Sequence, residues 1–264
     1  MRLILTADDY GRDKKTTDAI IESLRRGYIT QMSLMVNMDD AERAVKTFKD
    51  SGLDSVVGLH LNLIEGVPIT DEIKNYTNWC DRNGCFNNAI RSRPIFWKIA
   101  SQAEKKAVEE EMVAQINKYR GYGLNPFHCD GHQHCQVRWS IMPILFPLLR
   151  DFGFSSVRRP NNIRLLNFSM RRPSLRERYL NAIFFSNIKR FGLRTCDYMD
   201  GFTQFLPFAG NLSKGDKTIE IMLHPGYSAG GELVNLYESK ENRIAEIFEA
   251  VKGTCGCNPS DDVR

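Results

Sequence analysis

LILTADD, residues 3–9, is a short apolar run that ends in two adjacent acids. The same pattern returns as VVGLH at 56–60, FHCDGH at 127–132 and EIMLH at 220–224. Each is an apolar stretch of strand length that stops at a histidine or an aspartate. Helical patterns separate them. At 16–26, Ile20, Ile21 and Leu24 share one face and Gly27 supplies a stop; at 39–48, Asp39 or Asp40 is available as N-cap; at 103–120, Val108, Met112, Ile116 and Tyr119 form one stripe, with Glu and Lys elsewhere. Strands alternating with helices predict an α/β fold, mainly parallel strands with helices outside.

The rest of the chain extends this reading. Residues 33–36, 155–157 and 218–223 are further strand candidates, and 141–150 and 242–251 further helices. Between about 64 and 100 the pattern is broken by Gly66, Pro68, Gly84 and Pro94, which predicts a loop excursion of the kind that shapes clefts. Trp79 and Trp97 lie in it, where they suit either stacking on a ligand's apolar face or core packing. Residues 160–198 read as an inserted amphipathic helical segment with Phe184, Phe185 and Phe191 turned inwards.

Composition bounds the function classes. A chain of 264 residues, 42% hydrophobic and 26% charged, can bury one sizeable core, so a single domain over 1–264 is expected. A formal charge of +4 is too weak a bias to argue for nucleic acid or an anionic membrane surface. The apolar run at the N-terminus is too short for a signal peptide, and no apolar stretch approaches the roughly 20 residues of a membrane span. Seven cysteines, an odd number, do not make a disulfide framework; a reduced, cytoplasmic chain is expected.

The chain holds five histidines, and all sit at or beside strand ends: His60, His128, His132, His134 and His224. In parallel α/β sheets and barrels the C-terminal ends of the strands lie on one rim, so these side chains and Asp8, Asp9 and Asp130 can face one cavity. Two imidazoles and a carboxylate form a ligand set for one divalent metal ion, Zn²⁺, Fe²⁺ or a similar cation, and Asp9, His60 and His132 satisfy it. Successive strand residues alternate in direction, so a turn at Asp8-Asp9 is needed for one to ligate while the other faces the attacking water. His224 across the cavity suits the acid that protonates a leaving amine, and His-Pro-Gly-Tyr supplies a tight turn to fix it. Each residue also has a plainer role. Aspartates after strands commonly cap loose backbone donors, and His128 and Asp130 suit orientation of a ligand imidazole.

At these same residues the chain resembles the YdjC-like family of carbohydrate deacetylases. The resemblance runs through TADDYG at 6–11, Gly27 with ITQMS at 29–33, GLHLN at 58–62, DGHQH at 130–134, Val157-Arg158 and HPGY at 224–227. It implies an irregular TIM-like (β/α) barrel that removes acetyl groups from N-acetylated sugars with a divalent metal, Mg²⁺ being the ion associated with the family and Zn²⁺ the one that the ligand types suit. By position it implies Asp9, His60 and His132 as metal ligands, Asp8 as base and His224 as acid. Asn62, His134, Arg158 and Tyr227, within the matched strings, are the implied substrate contacts. The family commonly has a further histidine where Gln136 stands, and a further helix and strand where this sequence continues past Val251 with Cys, Gly, Asn and Pro. A homodimer is expected from the family and the inserted helix. A metal-dependent phosphoesterase and a non-catalytic carbohydrate-binding or scaffold protein are the competing readings; the sequence has no Gly-rich phosphate loop.

Overall fold

The structure is a computed structural model that describes residues 2–92, 98–162, 174–208, 216–237 and 242–255. Seven parallel strands form its centre: β1 (Arg2–Tyr10), β2 (Gln31–Leu34), β3 (Val56–Leu61), β4 (His128–Gly131), β5 (Ser156–Val157), β6 (Tyr198–Gly201) and β7 (Thr218–Leu223). Their order is β5-β4-β3-β2-β1-β7-β6, a curled TIM-like α/β sheet with helices around it. The two edges meet at a parallel bridge between Ser156 and Arg194, where Val157 N donates to Arg194 O at 2.9 Å. Asn162 N donates to Met199 O at 3.0 Å a little further on.

The helices are α1 (Lys14–Arg25), α2 (Ala41–Ser51), α3 (Ala89–Ser92), α4 (Gln102–Gly121), α5 (Met142–Asp151), α6 (Leu175–Phe191), α7 (Phe202–Phe205) and α8 (Ile244–Cys255). Three begin with side-chain caps: Asp13 and Ser101 accept from the third residue on, and Ser174 with Glu177 forms a full capping box. Asp40 precedes α2 without a capping bond, because its carboxylate is taken by Arg43 at 2.7 Å.

Strand alternation divides the residues between two environments. Leu3, Leu5, Ala7, Leu59, Leu61, Cys129, Ile219, Ile221 and Leu223 are buried against the helices, where each large side chain contributes about 1.5–3 kcal/mol. The intervening residues, Thr6, Asp8, His60, His128, Asp130 and Glu220, are buried and polar. The apolar core therefore lies between sheet and helices, and the sheet's concave side is a network of charges. His128 enters it because β3 has no side chain at Gly58: a Cβ there would lie 3.1 Å from the His128 carbonyl oxygen and 3.3 Å from its ring.

Several expectations change. Segment 64–92 is held by two acids of α4 that are buried rather than solvated. Glu111 accepts from Ile69 N, Thr70 N and Thr70 Oγ1, and Glu104 from Trp79 Nε1 at 2.9 Å. Trp79 is thus a core residue, 1% exposed, and no sugar platform; Trp97 lies outside the described residues. On α6, Phe184 is buried as expected, but Phe185 is exposed, with the Arg159 guanidinium 4.9 Å from its ring. Residues 225–227 are no tight turn: they form β8 (Pro225–Tyr227), which pairs with β9 (Leu233–Asn235), and β10 (Asn242–Arg243) completes that small antiparallel sheet. Among the described residues, no helix is long and apolar enough to cross a membrane.

Candidate functional site

The site begins with an irregularity in β1. Thr6 and Ala7 pair with Gln31 and Met32, but Tyr10 pairs with Leu34, so β1 spends three steps where β2 spends two. The extra residue is a bulge, and Asp9 takes it up with φ +68°. Aspartate tolerates this left-handed backbone better than most side chains. The expected turn is therefore present, and both Asp8 and Asp9 are buried at the cavity, 3% and 2% exposed.

β4 delivers the facing group. Gly131 ends it, and a Cβ there would meet Cys135 Sγ at 2.7 Å and Gln136 Oε1 at 2.8 Å. The chain then turns tightly, with Gln133 and His134 both left-handed. His132 comes to rest with Nδ1 2.9 Å from Asp9 Oδ1. His60, from β3, lies with Nε2 3.3 Å from the same oxygen, and its Nδ1 is held by Asp130 Oδ1 at 2.7 Å.

Asp9, His60 and His132 each offer a ligand atom within 4.8 Å of the others. Nε2 of both imidazoles is buried without a hydrogen-bond partner, an arrangement a cation relieves. Asp130 behind His60 is the carboxylate that commonly orients a ligand imidazole. The donor set fits a divalent cation on these grounds. Burial opposes charge on Asp9, but the hydrogen bond from His132, the close approach of His60 and the charge of both imidazoles hold it well below the usual carboxylate range. Burial likewise disfavours charge on His60, yet Asp130, Asp9 and Asp8 push it up to about 10.

Two other groupings, Asp8–His60–Asp130 and His128–Asp130–Glu220, also lie close enough for a cation. Arg158 already supplies one. Its Nη1 and Nη2 reach Asp8 at 2.6 and 2.8 Å, Nη2 is 2.7 Å from Asp130 Oδ2, and Nε reaches Glu220 Oε1 at 2.7 Å. The guanidinium is fully buried. It does not face the cavity as a substrate contact would; it fixes the orientation of Asp8.

The cavity above these residues has a volume of about 370 Å³, and Asp8, Asp9, His60, His132, His134 and His224 line it. A cavity of about 420 Å³ opens at the opposite end of the strands and contains none of these six. His224 is anchored by its backbone: its N–H donates to Asn235 Oδ1 at 2.6 Å and its carbonyl accepts from Leu236 N. Burial pulls its imidazole below the ordinary value, against the opposing pull of Asp8 and Asp9. His134 is driven down to about 4 by burial and then by the Arg158 charge.

Two of the other expected substrate contacts are elsewhere. Asn62 is fully buried, accepting from Ile64 N and Glu65 N and donating to Glu65 O, so it shapes the loop behind β3. Tyr227 lies on β8 with its hydroxyl on Glu22 of α1, 2.7 Å away. The structure also brings in residues that strand ends did not indicate. Arg12 lies 3.6 Å from Asp9 Oδ2, pairs with Glu65 at 2.8 Å and donates to Tyr237 Oη at 2.6 Å. Glu65 is in turn 3.6 Å from His132 Nε2. All three sit in loops, where no periodicity marks them.

The family model described as YdjC-like protein matches residues 2–248. Among curated relatives, carbohydrate deacetylase 1 of Listeria innocua is 27% identical over 254 residues, covering 94% of this chain and 90% of that one. The carbohydrate deacetylase of Geobacillus stearothermophilus is 28% identical over 230 residues, 85% and 79% of the two chains. That of Danio rerio is 32% identical over 171 residues, 64% and 53%. The matches span about half the length of the Danio rerio, Mus musculus and Homo sapiens relatives. A solved Enterococcus faecalis structure, described as a candidate cellobiose-phosphate cleavage protein, shares the fold with a TM-score of 0.66 at 18% identity, over 99% of this chain and 93% of that one. With a family model that spans nearly all of its described strands and helices, the chain belongs to the YdjC-like family.

Proposed function

We propose that this protein is a metal-dependent carbohydrate deacetylase that hydrolyses the amide bond of N-acetylated sugars. The observation that carries this reading is the buried Asp9–His60–His132 cluster, in which Nε2 of both imidazoles makes no hydrogen bond, on a cavity that Asp8 and His224 also line. Relatives named carbohydrate deacetylase support the substrate class.

A divalent cation held by Asp9, His60 and His132, Mg²⁺ or Zn²⁺, supplies electrophilic polarisation and lowers the pKa of water at the site. Arg158 holds Asp8 by both carboxylate oxygens, so Asp8 meets the attacking water in one orientation and takes its proton as general base. His224 is neutral at pH 7 on account of burial. As negative charge develops on the carbonyl oxygen, His224 takes up a proton from solvent and gives it to the leaving nitrogen as the C–N bond breaks, while the proton that Asp8 took from water returns to solvent when the products leave. His134, on the same wall, orients the sugar.

The test is acetate release from short N-acetylglucosamine oligomers by chelated, Mg²⁺-loaded and Zn²⁺-loaded protein, beside Asp8→Asn and His132→Ala. Release that needs metal and falls at least about 100-fold in both variants is expected. Release indifferent to chelation, or no release from any loaded form, overturns the proposal.

A further inference from the structure

We propose that Tyr237 is the stacking platform for the pyranose ring that carries the reacting acetamido group. This rests on the deacetylase reading above and adds the side chain that holds the sugar's apolar face. Tyr237 follows β9, and the β8–β9 pairing brings it back to the cavity beside His224, the two rings 5.2 Å apart and edge-on at 85°.

Three observations set this tyrosine apart. Its backbone is left-handed, φ +65°, a conformation that residues other than glycine rarely adopt. Its hydroxyl is nonetheless held by Arg12 Nη1 at 2.6 Å, and Arg12 is braced in turn by Glu65. The residue is 70% exposed although it lines the cavity. A strained, clamped and uncovered ring is aimed at something outside the fold.

The chemistry of the cavity says what. Its other described walls are mostly carboxylates, imidazoles and a guanidinium, and Tyr237 contributes the only phenyl ring among the described lining residues. A pyranose has a rim of hydroxyls and a face of C–H groups, so it asks for hydrogen-bonding groups at its edge and one flat apolar surface. His224 fixes which sugar unit this is. The leaving nitrogen lies on C2 of the reacting ring, so a nitrogen within reach of His224 places that same ring over Tyr237, one ring width away.

The test measures kcat and KM for acetate release from N-acetylglucosamine and N,N′-diacetylchitobiose, using the metal-loaded full chain and Tyr237→Ala and Tyr237→Phe. Tyr237→Ala raises KM about tenfold or more on both sugars, with kcat changed less, while Tyr237→Phe keeps KM within about twofold. An unchanged KM in Tyr237→Ala overturns the proposal; so does Tyr237→Phe behaving like Tyr237→Ala, which would leave only the hydroxyl clamp. Saturation-transfer NMR with N-acetylglucosamine separates the two readings. Transfer to the sugar's ring protons that vanishes in Tyr237→Ala supports the platform even where acetate release fails and the deacetylase reading falls. Equal transfer in both proteins, or none in the wild type, overturns it.

Discussion

Arg158 balances the charges of the interior. Three buried carboxylates converge on one guanidinium, and its planar fork satisfies them in a way that a lysine ammonium does not. Removing one partner of such an array leaves the others buried without countercharge, which costs far more than the array contributes. Arg158→Met, close in length and uncharged, should lower unfolding free energy by about 3–5 kcal/mol, read as a lower urea midpoint. A loss below about 1 kcal/mol would mean that water or a cation reaches these carboxylates directly. Arg158→Lys should lie between the two, because an ammonium can follow one carboxylate while the others lose their bond.

The strands and helices show which features the residue pattern reveals and which it hides. Apolar runs and 3.6-residue stripes marked β1, β3, β7, α1, α2 and α4, because burial against one layer imposes a period. The candidate site residues at strand ends were legible for the same reason: Asp8, Asp9, His60, His132, which follows β4, and His224 do meet at one cavity. β6 and the β8–β10 sheet were not. YMDG at 198–201 is too short and too polar to show alternation, and HPGY carries turn-forming residues yet extends once Asn235 and Leu236 hold it. The buried acids of α4 were hidden as well, since an acid on a helix is read as solvated until a loop offers it amide donors. Substrate-contact roles assigned to Asn62 and Tyr227 did not carry into geometry, because a motif string records proximity in sequence and not direction. Gly58 belongs to this scale. Gly58→Ala places its Cβ against the His128 backbone oxygen, which cannot yield as a flexible side chain would. A stability loss of about 1–3 kcal/mol is expected in chemical denaturation, with the β3–β4 register displaced.

For the molecule as a whole, these charges predict how stability follows pH when metal is chelated. His134, pushed down to about 4, and His224, also lowered, stay neutral in the fold while the unfolded chain takes up protons below about 6.5. Stability is therefore lost as pH falls from 6.5, and Asp9 adds to the loss below the usual carboxylate range. His60 has the opposite sign: raised to about 10, it stabilises fully below 6.5, and that contribution disappears as pH climbs from 6.5 to 10. Thermal unfolding of chelated protein should give a maximum Tm near pH 6.5, with decline on both sides. A Tm flat from pH 7 to 9 would remove His60 from this account, and His60→Gln is expected to flatten that limb.

The parallel bridge between Ser156 and Arg194 also matters to chemistry beyond its few hydrogen bonds. The described seam is held by the backbone bonds of Val157, Arg194 and Asn162, against six residue pairs in register between β1 and β7, so it is expected to open at lower cost than that pairing. Arg158 is the next residue along from β5. The guanidinium that orients Asp8 thus follows directly on the edge strand at this seam, so an opening of the seam would move the countercharge of the proposed base. In this chain, closing the wall and placing that countercharge fall to adjacent residues, Val157 and Arg158.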